Sequence, residues 1–364
     1  MPTHIAHPKI GIFDWIDGDP TQAADRYDQR LQMVELADRL GYHAYHLAEH
    51  HGTPLGLAPS PNLFLAAAAA RTSRLRLGPL VAIVPLYHPL RLVEEISMLD
   101  QLSRGRLDLG IGRGVSPFEL GMFGIDVQDS RAMLAEALQI VLLGLEKGEI
   151  EFDGVHYRIH GARSSVTPFQ RPYPPLWYPT FESIPWAARH GLNYLDLFAS
   201  SFHGSGSDRP GMVARYEQEH ALQRDAPDRL NAHVADPLRG FIRHIVIADT
   251  LDEAEAIAQP AFDRYAERFN RLWLERAGQA PLHMSYAEFT GRGFLLAGTA
   301  ATVREQLMTQ FGREGGNYVV GVFAFGDLAT PQVLRSVDRF AREVAPRLGP
   351  LPAAPGGLSM SPTG

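Results

Sequence analysis

Short apolar runs alternate with longer amphipathic segments along almost the whole chain, which is the pattern of a parallel α/β protein. Strands are predicted at Lys9–Phe13, Ala44–Ala48, Leu75–Val84 and Leu107–Ile111, and again at Pro174–Tyr178, Tyr194–Phe198, Phe241–Ala248 and Tyr318–Phe323. Between them the periodicity changes to that of helices: Gln22–Leu40 ending at Gly41, the alanine-rich Asn62–Arg71, Leu90–Leu102 with Pro89 at its start, and Ser130–Gly148. Further helices are predicted at Ile184–His190, Met212–Arg224, Leu251–Phe269, Thr302–Phe311 and Pro331–Leu348. Eight strands alternating with helices imply right-handed crossovers and favour a closed (β/α)₈ TIM barrel.

Two stretches break the rhythm. Gly148–Pro175, with a hairpin-like piece around Gly154, and Asn270–Gly298 are too long for routine connections. They are expected to be insertions, after strands 4 and 7, that pass over a barrel end or form a lid. The barrel is expected to occupy residues 1–348 as one domain. The tail from Gly349, GPLPAAPGGLSMSPTG, is rich in Pro, Gly and Ser and is expected to be disordered.

Composition narrows the function classes. The chain has 364 residues and a net charge of −7 without a Lys/Arg cluster, which argues against nucleic acid as the main partner. It contains no cysteine, so disulfides, thiolate nucleophiles and Cys-ligated metals are excluded together. The N-terminal residues lack the charge-then-apolar pattern of a signal peptide, and the apolar runs are too short to span a bilayer; a cytoplasmic protein is expected.

The candidate chemistry sits where strands end. Glu49-His50-His51 closes the second strand, and Gly112-Arg113-Gly114 closes the fourth. In a parallel fold these ends face the same way, so His50 and Arg113 can line one pocket. The bland readings are a hydrogen-bonded core histidine and a tight turn with a surface arginine. His46-Leu47-Ala48-Glu49-His50 also matches the zinc signature H-x-x-E-H, which would make the chain a metal-dependent hydrolase. That chemistry needs both histidines on one helical face, whereas Tyr45–Ala48 reads as strand, so no metal ligands are assigned.

Taken together, a longer set of residues carries a resemblance. It comprises Ile10-Gly11, Ala48-Glu49-His50-His51, Gly78, Pro85, His88-Pro89-Leu90-Arg91, Leu99-Asp100-Gln101-Leu102-Ser103, Gly105-Arg106, Gly112-Arg113-Gly114, Phe123-Gly124, Asp126 and Ser130-Arg131. It resumes at Trp186-Ala187-Ala188, Gly191 and Gly298-Thr299. In length, order and spacing these resemble the bacterial luciferase-like family of flavin-dependent monooxygenases, in the branch of the luciferase alpha subunit.

The resemblance implies a (β/α)₈ barrel that holds reduced FMN, adds O₂ at the flavin C4a carbon, and uses the resulting peroxyflavin to oxidise a small, apolar organic substrate. It implies that His50 is the catalytic histidine, with Glu49 as its orienter or a pocket wall and His51 supporting the turn. Arg113, Gly114 and Val115 would meet the flavin phosphate, and Thr180, Glu182 and Ser183 would supply its second half at a helix start, where Ser183 is also a plausible N-cap. A non-prolyl cis peptide is expected at Leu80–Val81 beneath the flavin ring, and Phe198 is a candidate wall. Two departures change the pocket: Gly112 stands where the luciferase alpha subunit has a cysteine, and Ser116-Pro117-Phe118 follow the phosphate turn.

Reducing equivalents are expected from a separate NAD(P)H-dependent flavin reductase, because no pyridine-nucleotide fingerprint is visible. Relatives that use the deazaflavin F420 leave an F420-dependent oxidoreductase as the alternative, and a non-catalytic flavin-binding protein as another. Selectivity is expected in the loops Ser200–Pro210 and Arg271–Arg292, with Trp273, His283, Met284, Tyr286 and Phe289 forming an apolar lid. A homodimer is expected through the helices after strands two and three, around Ala66–Ala70.

Overall fold

A computed structural model describes residues 7–179, 183–197, 211–277 and 285–349. The strands are β1 (Lys9–Asp14), β2 (Ala44–Leu47), β3 (Arg76–Pro79), β4 (Ala82–Ile83), β5 (Leu109–Gly112), β6 (Glu149–Asp153), β7 (Arg158–Arg163), β8 (Leu176–Trp177), β9 (Tyr194–Asp196), β10 (Arg239–Ile247), β11 (Leu295–Gly298) and β12 (Tyr318–Val322). The helices are α1 (Ala23–Leu40), α2 (Pro61–Arg71), α3 (Pro89–Ser103), α4 (Pro117–Met122), α5 (Ser130–Lys147), α6 (Ile184–Arg189), α7 (Met212–Gln223), α8 (Leu251–Ala277), α9 (Tyr286–Gly291), α10 (Ala300–Glu314) and α11 (Thr330–Arg339).

Among the described residues, all pairing apart from the β6–β7 hairpin is parallel. One sheet runs β11–β10–β12–β1–β2–β3 with β9 also on β10, another runs β4–β5–β8, and the bridges Leu77–Leu107 and Trp177–Asn193 join them. The result is a barrel-like parallel α/β fold whose strands are almost wholly buried, as expected of a sheet with both faces covered. Helices pack around it in chain order, α1 on α2, α2 on α3 and α3 on α5, while α11 returns to α1. Helix ends follow the sequence signals. Gly41 closes α1 at φ 80, a left-handed conformation that lacks a steric penalty only for glycine.

The covered face of the sheet explains His46. Its Nε2 is 2.9 Å from the Tyr318 hydroxyl, and the edge of Trp177 lies against its ring at 4.8 Å. Burial pushes its imidazole down to about 4, so it is a neutral core residue. The H-x-x-E-H reading therefore fails on geometry: His46 lies inside a strand with its ring in the core, not on a helical face shared with His50.

Three expectations are corrected. Leu75–Val84 is not one strand, because the Leu80–Val81 peptide is cis and divides it into β3 and β4. The segment beginning at Asn270 is not an irregular loop: α8 continues to Ala277, and α9 and β11 follow, β11 pairing in register with β10 from His244–Leu295 to Ile247–Gly298. Phe289 is consequently core rather than lid, packed between Phe262 and His244, with Tyr286 against Phe262. The Gly148–Pro175 stretch holds its hairpin around Gly154: β6 and β7 pair there and lie along α5, where Glu136 accepts the backbone N–H groups of Val155, His156 and Tyr157. The tail beyond Gly349, the Ser200–Pro210 loop and the expected lid residues His283 and Met284 lie outside the described residues, as does the side chain of Trp273.

Candidate active site

The C-terminal ends of β1, β2, β4 and β5 meet at one end of the sheet, and each contributes to a single cluster. β1 leads into Trp15, β2 into Glu49-His50-His51, the cis pair precedes β4, and β5 leads into Arg113. His50 is 9% exposed and its ring stacks on Trp15, with centroids 5.4 Å apart and planes at 24°. Trp15 in turn contacts Phe13 and Tyr265, which gives the cluster an aromatic wall.

Two carboxylates divide the triplet between them, and not as the sequence suggests. His50 Nδ1 is 3.0 Å from Glu119 Oε1, and the same oxygen accepts the His51 backbone N–H at 2.7 Å. Glu49 instead faces the His51 Nε2 at 3.0 Å with one oxygen, and accepts the Ile83 backbone N–H at 2.8 Å with the other. Burial, and then the adjacent Glu49 carboxylate, push the Tyr87 phenol upward. So Glu49 ties the end of β2 to β4, and Glu119, from α4, is the partner of His50. The expected orienter role of Glu49 is corrected accordingly: consecutive residues leaving a strand point to opposite sides, so Glu49 faces away from His50.

Gly112 is a structural requirement at this point. A Cβ there would collide with Val81 Cγ2, so the absence of a side chain lets β5 lie directly against the cis pair. Gly114 follows at φ 78, where the chain turns towards α4 between Ile83 and Leu120. Arg113 between them is half-buried and its Nη1 lies 3.4 Å from the Ser130 hydroxyl at the start of α5. Val115 is exposed. Ser183 takes the N-cap position of α6, but its side chain makes no capping hydrogen bond there. Thr180, Glu182 and Phe198 lie outside the described residues.

Beside the cluster a buried ionic network fixes the rim. Asp14 pairs with Arg30 at 2.9 Å and accepts from Tyr45, while Asp17 takes Arg268 at 3.1 Å and the Gly326 N–H at 2.7 Å. Burial outweighs these cations and pushes the Asp17 carboxyl up to about 6. Through Arg268 this network fastens α8, which carries Tyr265, to the ends of β1 and β12.

Residues 9–317 match the family model described as luciferase-like monooxygenase. The chain belongs to that family. This luciferase-like monooxygenase is therefore an oxidoreductase of the oxygen-incorporating class. It is 39% identical over 353 residues to the uncharacterized protein y4wF of Sinorhizobium fredii, covering 96% of this chain and 99% of that one. It is 29% identical over 236 residues to the oxygenase component of flavin-dependent trigonelline monooxygenase from Acinetobacter baylyi, covering 64% of this chain and 62% of that one. The oxygenating constituent of 3,6-diketocamphane monooxygenase from Pseudomonas putida, solved with FMN, shares its fold at a TM-score of 0.78 and 22% identity, covering 96% of this chain and 100% of that one.

The residue that sequence reasoning missed in this luciferase-like monooxygenase is Glu119. A signal for it was present, because Ser116-Pro117-Phe118-Glu119 has the serine, proline and acid of a helix start. Among the described residues, no helix is long and apolar enough to cross a membrane.

Proposed function

We propose that this chain is the oxygenase component of a two-component monooxygenase that receives reduced FMN from a separate NAD(P)H-dependent flavin reductase. The parallel pairings are read as a closed (β/α)₈ barrel, with its chemistry at the C-terminal strand ends. The observation that carries the reading is the convergence, at one end of the sheet, of a buried histidine–carboxylate pair, the Leu80–Val81 segment against which Gly112 packs, and an arginine flanked by glycines. When bound, the reduced flavin supplies the electrons that activate O₂.

The protein's own residues then have separable tasks. Arg113, with the backbone at Gly114 and Val115, holds the phosphate dianion, and the Ser183 hydroxyl, unused by its own helix, offers a further donor. Leu80 and Val81 form the bed on which the ring system rests, kept open because Gly112 adds no side chain above it. His50 holds or releases a proton at Nε2, the ring nitrogen left free of Glu119. Trp15, Phe13 and Tyr265 exclude water and suit a small, apolar organic substrate. A homodimer is read from Leu63 on α2 and Met98 and Leu102 on α3, large apolar side chains left exposed on adjacent helices.

Anaerobic titration with reduced FMN, followed by rapid mixing with O₂, tests the reading. Saturable binding and a delayed return of the oxidised-flavin spectrum relative to buffer support it. Arg113→Ala should weaken that binding by about tenfold or more, the loss of a charge-assisted contact. His50→Ala should leave binding within a few fold while the delay disappears. Oxidation as fast as in buffer would reject the proposal and make F420-dependent hydride transfer the reaction to examine next.

A further inference from the structure

We propose that Glu119 is the positioning residue for His50, fixing both the direction of the imidazole and which of its nitrogens carries hydrogen. The inference rests on the reading of His50 as the proton-handling group. A carboxylate oxygen only accepts, so the Nδ1 atom 3.0 Å from Glu119 Oε1 must bear the hydrogen, and in the neutral ring Nε2 is left with its lone pair directed away from α4. Two features keep Glu119 from swinging. Its Oε1 also accepts the His51 backbone N–H, so any movement breaks a backbone hydrogen bond, and stacking on Trp15 holds the plane of the His50 ring.

The local structure of α4 shows that this arrangement is not the one its helix would choose alone. Ser116 is the N-cap and Pro117 follows it, and the Ser116 hydroxyl accepts the Glu119 N–H at 3.3 Å. With that sequence, the acid at the third helical position ordinarily turns back to the N-cap backbone and completes a reciprocal cap. Ser285 and Glu288 do this at the start of α9. Glu119 makes the first half of the motif and forgoes the second. Its side chain is fully buried and leaves Oε2 without a partner among the described residues, so the helix gives up both a cap and a satisfied carboxylate to reach the histidine. A carboxylate kept only to close the turn would have no such bias towards one imidazole nitrogen.

The test uses the whole protein without flavin, labelled with ¹⁵N in its histidine rings. Long-range proton–nitrogen correlation spectra report the tautomer of each ring, and His50→Gln identifies the His50 signals. The expected wild-type result is hydrogen on Nδ1 in the neutral ring. In Glu119→Met the His50 ring should move to the Nε2–H form that unconstrained imidazoles favour. Glu119→Gln retains an acceptor oxygen and therefore the tautomer, but its neutral acceptor should move the Nδ1–H resonance upfield. Hydrogen on Nε2 in the wild type, an unchanged tautomer in Glu119→Met, or an unmoved resonance in Glu119→Gln would each overturn the proposal. If the Met variant does not fold, the wild-type tautomer and the Gln variant decide. Because no flavin is involved, a chain that failed to bind reduced FMN would leave this result standing, and a wrong tautomer would leave flavin binding standing.

Discussion

His244 offers a quantitative test of how dry the protein core is. It lies on β10, fully buried, with Tyr265 at 4.6 Å, Phe325 at 4.8 Å and Phe289 at 5.5 Å between ring centroids. Burial alone pushes its imidazole down to about 3 from the ordinary 6.5. Below pH 6.5 the unfolded chain therefore takes up a proton that the folded protein refuses, so the stability contributed by the neutral ring is complete above that pH and is lost as the pH falls towards 3. Integrated from about pH 7 to about pH 5, this one group removes about 2 kcal/mol of stability. His46 and His43, both pushed down to about 4 mainly by burial, add losses of the same sign. Asp17, raised to about 6, acts oppositely, since its contribution weakens as the pH rises through that range. In a comparison of the wild type with His244→Leu, a side chain of similar size, these other groups cancel. Urea midpoints at the two pH values should show the variant losing about 2 kcal/mol less than the wild type on acidification. Equal losses in the two proteins would refute the claim that His244 sits in a medium that excludes its charged form.

Three further outcomes follow from the site and the surface. Gly112→Ala forces a methyl group into Val81, and should cost about 1–3 kcal/mol in a denaturation midpoint; an unchanged midpoint would mean that β5 does not press on the cis pair. Glu49→Ala strands the Ile83 N–H and the His51 ring, and should destabilise by about 2–4 kcal/mol, measured by urea titration, with less than 1 arguing against a clamp between β2 and β4. Light scattering should find a dimer for the native chain and a monomer for Met98→Lys combined with Leu102→Lys; a native monomer would remove the case for pairing through α2 and α3.

The sequence carried the parallel alternation, seven of the eight expected strands nearly as the structure has them, and the strand-end placement of His50 and Arg113. These features are local, set by periodicity and by residues next to each other in the chain. Leu80–Val81 was legible only through the resemblance, because nothing in a run of apolar residues announces a cis bond. The sequence signalled a helix start at Ser116–Glu119, but not that Glu119 is the partner of His50. Glu119 lies 69 residues along the chain, and its first-turn position on α4 reads as ordinary helix chemistry, whereas Glu49 is adjacent in sequence and invites the pairing it does not make. β11 was missed for a related reason: four residues between Phe294 and Thr299 carry too little pattern to declare a strand, and only the edge of β10 gives them a partner.

The want of cysteine, most pointed at Gly112 beside the cis pair, has a consequence for how the enzyme ages. A protein that handles activated oxygen leaks peroxide whenever turnover is incomplete, and thiols so exposed pass to sulfinic and sulfonic acids that cells seldom repair. Here no such residue exists, and the damage falls on thioethers instead. Among the described residues, Met122, exposed at the end of the same short helix that bears Glu119, is accessible. Its sulfoxide is a substrate for dedicated reductases, so oxidative wear at this residue takes a form that cells can reverse.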